Sequence, residues 1–88
     1  MSIDSTLAER QKRYGDFSQH AQISQDLQRS MRKVAAWNDL SDTHREALQM
    51  IQHKVARILN GDPDYVDNWH DIQGYAKLAE DTCGKTDS

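Results

Sequence analysis

Two aspartates, Asp67 and Asp71, stand four residues apart in the stretch DYVDNWHDIQGYAKL, with Trp69 and His70 between them and Tyr75 one turn further on. On a helix this spacing puts two like charges on one stripe, which costs about 0.2–0.5 kcal/mol. A carboxylate pair kept despite that cost suits a hard divalent cation such as magnesium, which takes oxygen ligands, keeps several waters and needs only one or two carboxylates. Upstream, Lys54 and Arg57 stand three apart on a second helical pattern, where they would meet phosphate oxygens beside such an ion. The same residues also support a blander chemistry. Asp67 then caps a helix start, and Asp71 pairs with Lys54 or Arg57 across two helices. Spacing alone leaves both open.

A second constellation is RYGDF, residues 13–17. It reads either as a helix break, with Asp16 capping the next helix and Phe17 entering the core, or as a ligand-contact turn. In the second case Tyr14 stacks on a base while Asp16 reaches the ligand or its metal. The remaining polar candidates carry less. His53 and His70 fall on outward flanks and read as solvent-facing; Trp69 reads as core, and Trp37 as core or an interface anchor. Cys83 is the single cysteine, so no internal disulfide and no Cys/His zinc spacing exist, and it is assigned no redox role.

The elements that must position these groups are helices. No alternating strand pattern of useful length occurs, while helical spacings recur between sparse glycines and one proline. The first helix is expected over about 5–14, with Thr6 and Glu9 as a capping box and Gly15 closing it. The second is expected over about 17–37, the third over about 42–60 with Ser41 as cap, and the fourth over about 67–81. On the third, Ala47, Leu48, Ile51, Val55, Ile58 and Leu59 form an apolar stripe, with Ile51 and Val55 at its centre and Lys54 and Arg57 at its edge. A short acidic loop, GDPDY, makes the third and fourth helices antiparallel neighbours, which brings the two cations opposite the two aspartates.

The expected architecture is therefore all-α: one four-helix, bundle-like domain over 1–88, ordered from about 5 to 82, with a polar tail at 83–88. With 36% hydrophobic and 7% aromatic residues the core is thin, and a homo-oligomer is expected to complete it. A net charge of −3 gives no overall basic field for nucleic acid or anionic membrane. No signal peptide or membrane span is visible, so a cytoplasmic protein is expected.

The order YGDF, then HKxARxLNGD, then WHDIxGY, running from about Glu9 to Leu78, resembles a small family of uncharacterised proteins from tailed phages and prophages. More distantly, the layout YGD, KxxR and DxxxDxxxY is similar to the phage nucleotide modification associated domain and to the all-α MazG-like nucleoside triphosphate pyrophosphohydrolases. The resemblance implies a MazG-like helical fold, magnesium on acidic side chains and a nucleotide or nucleotide-derived ligand. It implies Lys54 and Arg57 as the KxxR cations, Asp67 and Asp71 as metal ligands, and Tyr75 as the aromatic after them. The chain departs from MazG-like enzymes in their ExxE cluster: Glu46 is followed at those spacings by Gln49 and Met50, and the two aspartates are four apart rather than three. Two functions remain in view. One is a magnesium-dependent nucleotide-binding or hydrolysing protein in the host cytoplasm. The other is a non-enzymatic phage accessory protein that inhibits a host defence protein or sequesters a signalling nucleotide.

Overall fold

The computed structural model describes residues 3–84, and every regular element among them is helical: α1 Ile3–Tyr14, α2 Phe17–Arg32, a 3₁₀ segment Ala35–Asp39, α3 Asp42–Asn60 and α4 Val66–Glu80. Part of the expected polar tail, from residue 85 on, lies outside the described residues. The α3 boundaries agree with the sequence reading, and Ser41 caps that helix by accepting from the His44 N–H at 3.1 Å. α1 begins earlier than expected, which places Thr6 inside the helix; Glu9 pairs with Arg13 one turn on, at 2.9 Å.

α2 stops one turn short of Trp37. Val34 adopts extended dihedrals and the chain continues as a 3₁₀ turn. Arg45, from the first turns of α3, donates to the carbonyls of Asn38 and Leu40, so it satisfies backbone acceptors that the broken helix leaves open. Asp16 stands at the N-cap of α2 but makes no capping bond; its carboxylate accepts from Ser18 Oγ at 2.6 Å.

α3 is the central element. Gln52 donates to Ser24 on α2 at 2.7 Å, and Lys54 reaches Asp71 on α4 at 3.0 Å. Two residues apart on a helix means ~200° apart around it. α2 and α4 therefore pack on nearly opposite sides of α3, and they share no substantial contact with each other. The result is an elongated body rather than a closed four-helix bundle, with extents of 51 × 25 × 22 Å.

This arrangement buries little. Among the described residues the buried apolar side chains are Ala47 and Ala56 alone, while His20, Ser24, Gln52, Lys54 and Asn68 are buried polar groups. The expected α3 stripe is thus only partly covered: Leu48 is 40% exposed and Leu59 66% exposed. Trp69, expected in the core, is 50% exposed; its indole N–H donates to the Pro63 carbonyl at 2.8 Å.

Candidate functional site

The two glycine motifs of the sequence meet each other. Gly15 has φ +79°, the left-handed conformation that closes α1. A side chain there would run into the Asn60 backbone carbonyl, and one on Gly61 would run into the backbone of Arg13 and Tyr14. The YGDF turn and the LNGD helix end are locked back to back. Asn60 Nδ2 donates to the carbonyls of Tyr14 and Asp16, at 2.9 and 2.8 Å, and the Asp62 N–H donates to the Arg13 carbonyl at 2.8 Å. The end of α1 is thereby fixed against the end of α3.

That lock places Tyr14 under Arg57. The guanidinium carbon lies 4.4 Å from the ring centroid, and Arg10, one turn back on α1, lies 5.5 Å from the same ring. A cavity of about 220 Å³ opens beside them, walled by Arg10, Tyr14, Asp16, Phe17, His20 and Arg57. Phe17 is 79% exposed at its mouth rather than in the core. His20 is buried at its base, with Nδ1 lacking a partner, and stands edge-on to His53 at 4.8 Å between centroids. Burial, together with the nearby Arg57 charge, lowers the pKa of His20; the same two causes, with His20 and Lys54 adding to them, push His53 down to about 4. Both imidazoles are therefore neutral at pH 7. His53, expected on the surface, is half-buried because the α1–α2 turn and the start of α2 lie over that flank of α3.

The expected acidic pair is split between two partners. Asp71 forms the ion pair with Lys54, whose side chain is 11% exposed against 42% for the carboxylate. Asp67 sits in the first turn of α4 behind Tyr65, which occupies the N-cap, and accepts from the Tyr65 hydroxyl at 2.9 Å. That bond is the main cause raising the Tyr65 pKa. Tyr65 in turn meets Tyr14 edge-on at 6.0 Å and accepts from Arg13, so Asp67 connects to the pocket rim through one ring. Among the described residues no group of three or more His, Cys, Asp or Glu side chains is placed to hold a metal ion.

Of the residues named from sequence, Tyr14, Asp16 and Arg57 come together in the cavity. Lys54 lies one turn from Arg57 but turns toward α4, and Tyr75, half-buried on α4, does not line the cavity. Arg10, Phe17 and His20 were missed. The available signal was helical spacing: Arg10 precedes Tyr14 by four and Phe17 precedes His20 by three, so each pair shares a face.

No curated protein and no solved structure matches the chain. A family model described as a domain of unknown function (DUF6378) matches residues 4–83, almost the whole length, and the chain belongs to that family.

Proposed function

We propose that this chain is a phage-encoded, MazG-like helical protein that binds a nucleotide in the cavity between α1, α2 and α3. The observation that carries the reading is the Arg57 guanidinium lying over the Tyr14 ring in a cavity that also presents Arg10 and Phe17. Aromatic faces accept a base, and guanidinium groups accept phosphate oxygens in a fixed fork. The electrostatics favour the same ligand. Arg57 stands close enough to two neutral imidazoles to disfavour their protonation, and an anion would offset that positive charge. About 220 Å³ encloses a base or a sugar-phosphate portion, so the rest of the ligand would remain in solvent.

Binding without turnover is the version the residues support better. Asp71 is committed to Lys54 and Asp67 to Tyr65, so the two proposed magnesium ligands are not assembled as a site of their own. Magnesium enters as an ion carried on the ligand's phosphates, whose shell of water and phosphate oxygens one carboxylate, Asp71 or Asp67, would complete. The biological setting that fits is a cytoplasmic phage accessory protein that sequesters a signalling nucleotide of its host or blocks a host defence protein. A hydrolytic role would instead require both Asp67 and Asp71 to leave their present partners for the ion.

The test is thermal melting with a nucleoside triphosphate panel, with and without magnesium, followed by recovery of the nucleotide. A ligand that binds the folded state at a hundredfold excess over Kd stabilises by about 2.7 kcal/mol. Wild type should gain stability with at least one nucleotide and return it intact, Arg57→Ala should lose the gain, and one of Asp67→Asn and Asp71→Asn should lose only the part that needs magnesium. No shift with any member of the panel would sink the reading, and conversion to a monophosphate and pyrophosphate would establish the hydrolase instead.

A further inference from the structure

The flank of α3 opposite the cavity is apolar and only partly covered. Leu48, Val55 and Leu59 lie on the arc between the Gln52 side, which meets α2, and the Lys54 side, which meets α4. Leu48 continues into a groove of about 240 Å³ whose other walls are Met31, Val34, Ala36, Trp37 and Leu40, all of them apolar. Trp69 extends the same surface onto α4: it is two residues from Asp71, hence ~200° round the helix from the side that pairs with Lys54. Val34, Leu59 and Trp69 are at least half exposed.

We propose that this face is the interface of a symmetric homodimer in which the α3 helices of two copies cross, Leu48, Val55 and Leu59 packing on their counterparts. The occupant is argued from area. A compact monomer of 10.1 kDa exposes about 5,300 Å². This chain exposes 6436 Å², about 1,100 Å² more, which covers the ~800 Å² per partner of a standard interface. Its radius of gyration of 15.4 Å likewise exceeds the ~12 Å of a compact chain of this length. Leu48, Val55 and Leu59 carry no charge, so two identical copies meet there without like-charge opposition, as a two-fold interface requires. A second copy also supplies what two buried alanines cannot, a core several side chains thick. The proposal does not depend on the nucleotide reading, because it uses the opposite flank of α3.

The experiment is sedimentation equilibrium of the full chain across micromolar concentrations, with circular dichroism on the same samples. Wild type should sediment at twice its chain mass. Leu59→Lys and Val34→Lys each place a charge on the face at a position the isolated chain leaves exposed; each should shift the dimer dissociation constant at least a hundredfold while keeping the helical spectrum. Leu78→Lys, equally exposed but on the Asp71 flank of α4, should remain dimeric. A wild type that stays at the chain mass at every concentration overturns the proposal. So does a dimer that survives both Leu59→Lys and Val34→Lys, or one lost only in Leu78→Lys.

Discussion

On one flank of α3, His53 and Arg57 are met by the α1–α2 turn and the start of α2; on the other, Leu48 and Val55 are only partly covered and Leu59 is left 66% exposed. The polar flank is held by directional contacts: two hydrogen bonds from Asn60, one from Asp62 and a glycine-to-glycine approach. The apolar flank depends on area alone. Directional contacts fix where a group stands and leave it open to a ligand. Apolar area fixes little until something covers it. The division explains how a chain with so small an internal core keeps a defined cavity: the lock is made by hydrogen bonds onto backbone carbonyls and a close glycine approach, not by packing volume.

The sharpest way to break the polar flank is to part the two glycines. Gly15→Ala forces a side chain into the left-handed region and into the Asn60 carbonyl, so α1 must lift from α3. The dihedral term alone is about 1–2 kcal/mol, and the overlap should bring the loss to about 3 kcal/mol or more. Gly61→Ala should cost a similar amount through Arg13 and Tyr14. Urea denaturation reads both; a loss under 1 kcal/mol in either would mean that the turns are not locked.

A second comparison separates the flanks. Sequence periodicity treats Ile51 and Val55 as equal centres of one stripe, yet Ile51 leans toward the α4 side and Val55 toward the open face. Ile51→Asp should bury a charge against α4 and cost about 2–4 kcal/mol. In Val55→Asp the carboxylate can reach water in the isolated chain, so it should act mainly on association. The expected pair of outcomes is an unfolded or severely weakened Ile51→Asp protein and a helical, monomeric Val55→Asp protein. Equal unfolding of both would restore the single buried stripe.

What was legible in the sequence was whatever one helix or one turn decides by itself. The α3 boundaries follow from Ser41 and Gly61, and the end of α1 from Gly15, because caps and left-handed turns are local chemistry. The cavity was half legible: Tyr14, Asp16 and Arg57 could be named because their residue types suit a phosphate-bearing aromatic ligand. His20 could not, since its burial depends on the α2–α3 contact, which no local pattern encodes. Lys54 and Asp71 were foreseen as opposed charges, but the separate partner of Asp67 depends on where Tyr65 lands. The coverage of the α3 stripe was misread for a general reason. Periodicity reports how wide an apolar face is, and says nothing about whether the same chain covers it.

The Lys54–Asp71 pair lies at the edge between the two flanks, and its asymmetry gives the next measurement. Lys54 is nearly buried while Asp71 is close to half exposed. Asp71→Asn therefore strands a buried ammonium and should cost about 1–3 kcal/mol. Lys54→Met removes the charge and keeps the apolar stem, leaving a carboxylate that water can reach, so it should cost less than Asp71→Asn. The reverse order in denaturant melts would place the buried charge on the wrong partner.

The smallest expected effect concerns the two imidazoles of the polar flank, and its sign is fixed by where they stand. In the unfolded chain each His titrates near its ordinary value of 6.5, whereas in the folded chain burial and Arg57 lower both, His53 to about 4. Below pH 6.5 the unfolded state then binds protons that the folded state refuses, so stability must fall as the pH drops. For His53 the contribution is fully present above 6.5 and is lost progressively down to about pH 4. His53→Gln should flatten that part of the profile relative to wild type, and the difference between the two curves removes the contribution of carboxylates common to both. An anion in the cavity should act in the opposite sense. By offsetting Arg57 it makes protonation of His20 less costly, so stabilisation by a bound nucleotide should grow as the pH falls from 7 to 6. Parallel melting curves for wild type and His53→Gln between pH 7 and pH 5 would show that the flank does not hold this imidazole neutral. A nucleotide shift that shrinks over the pH 7 to 6 interval would place the phosphate away from Arg57 and His20.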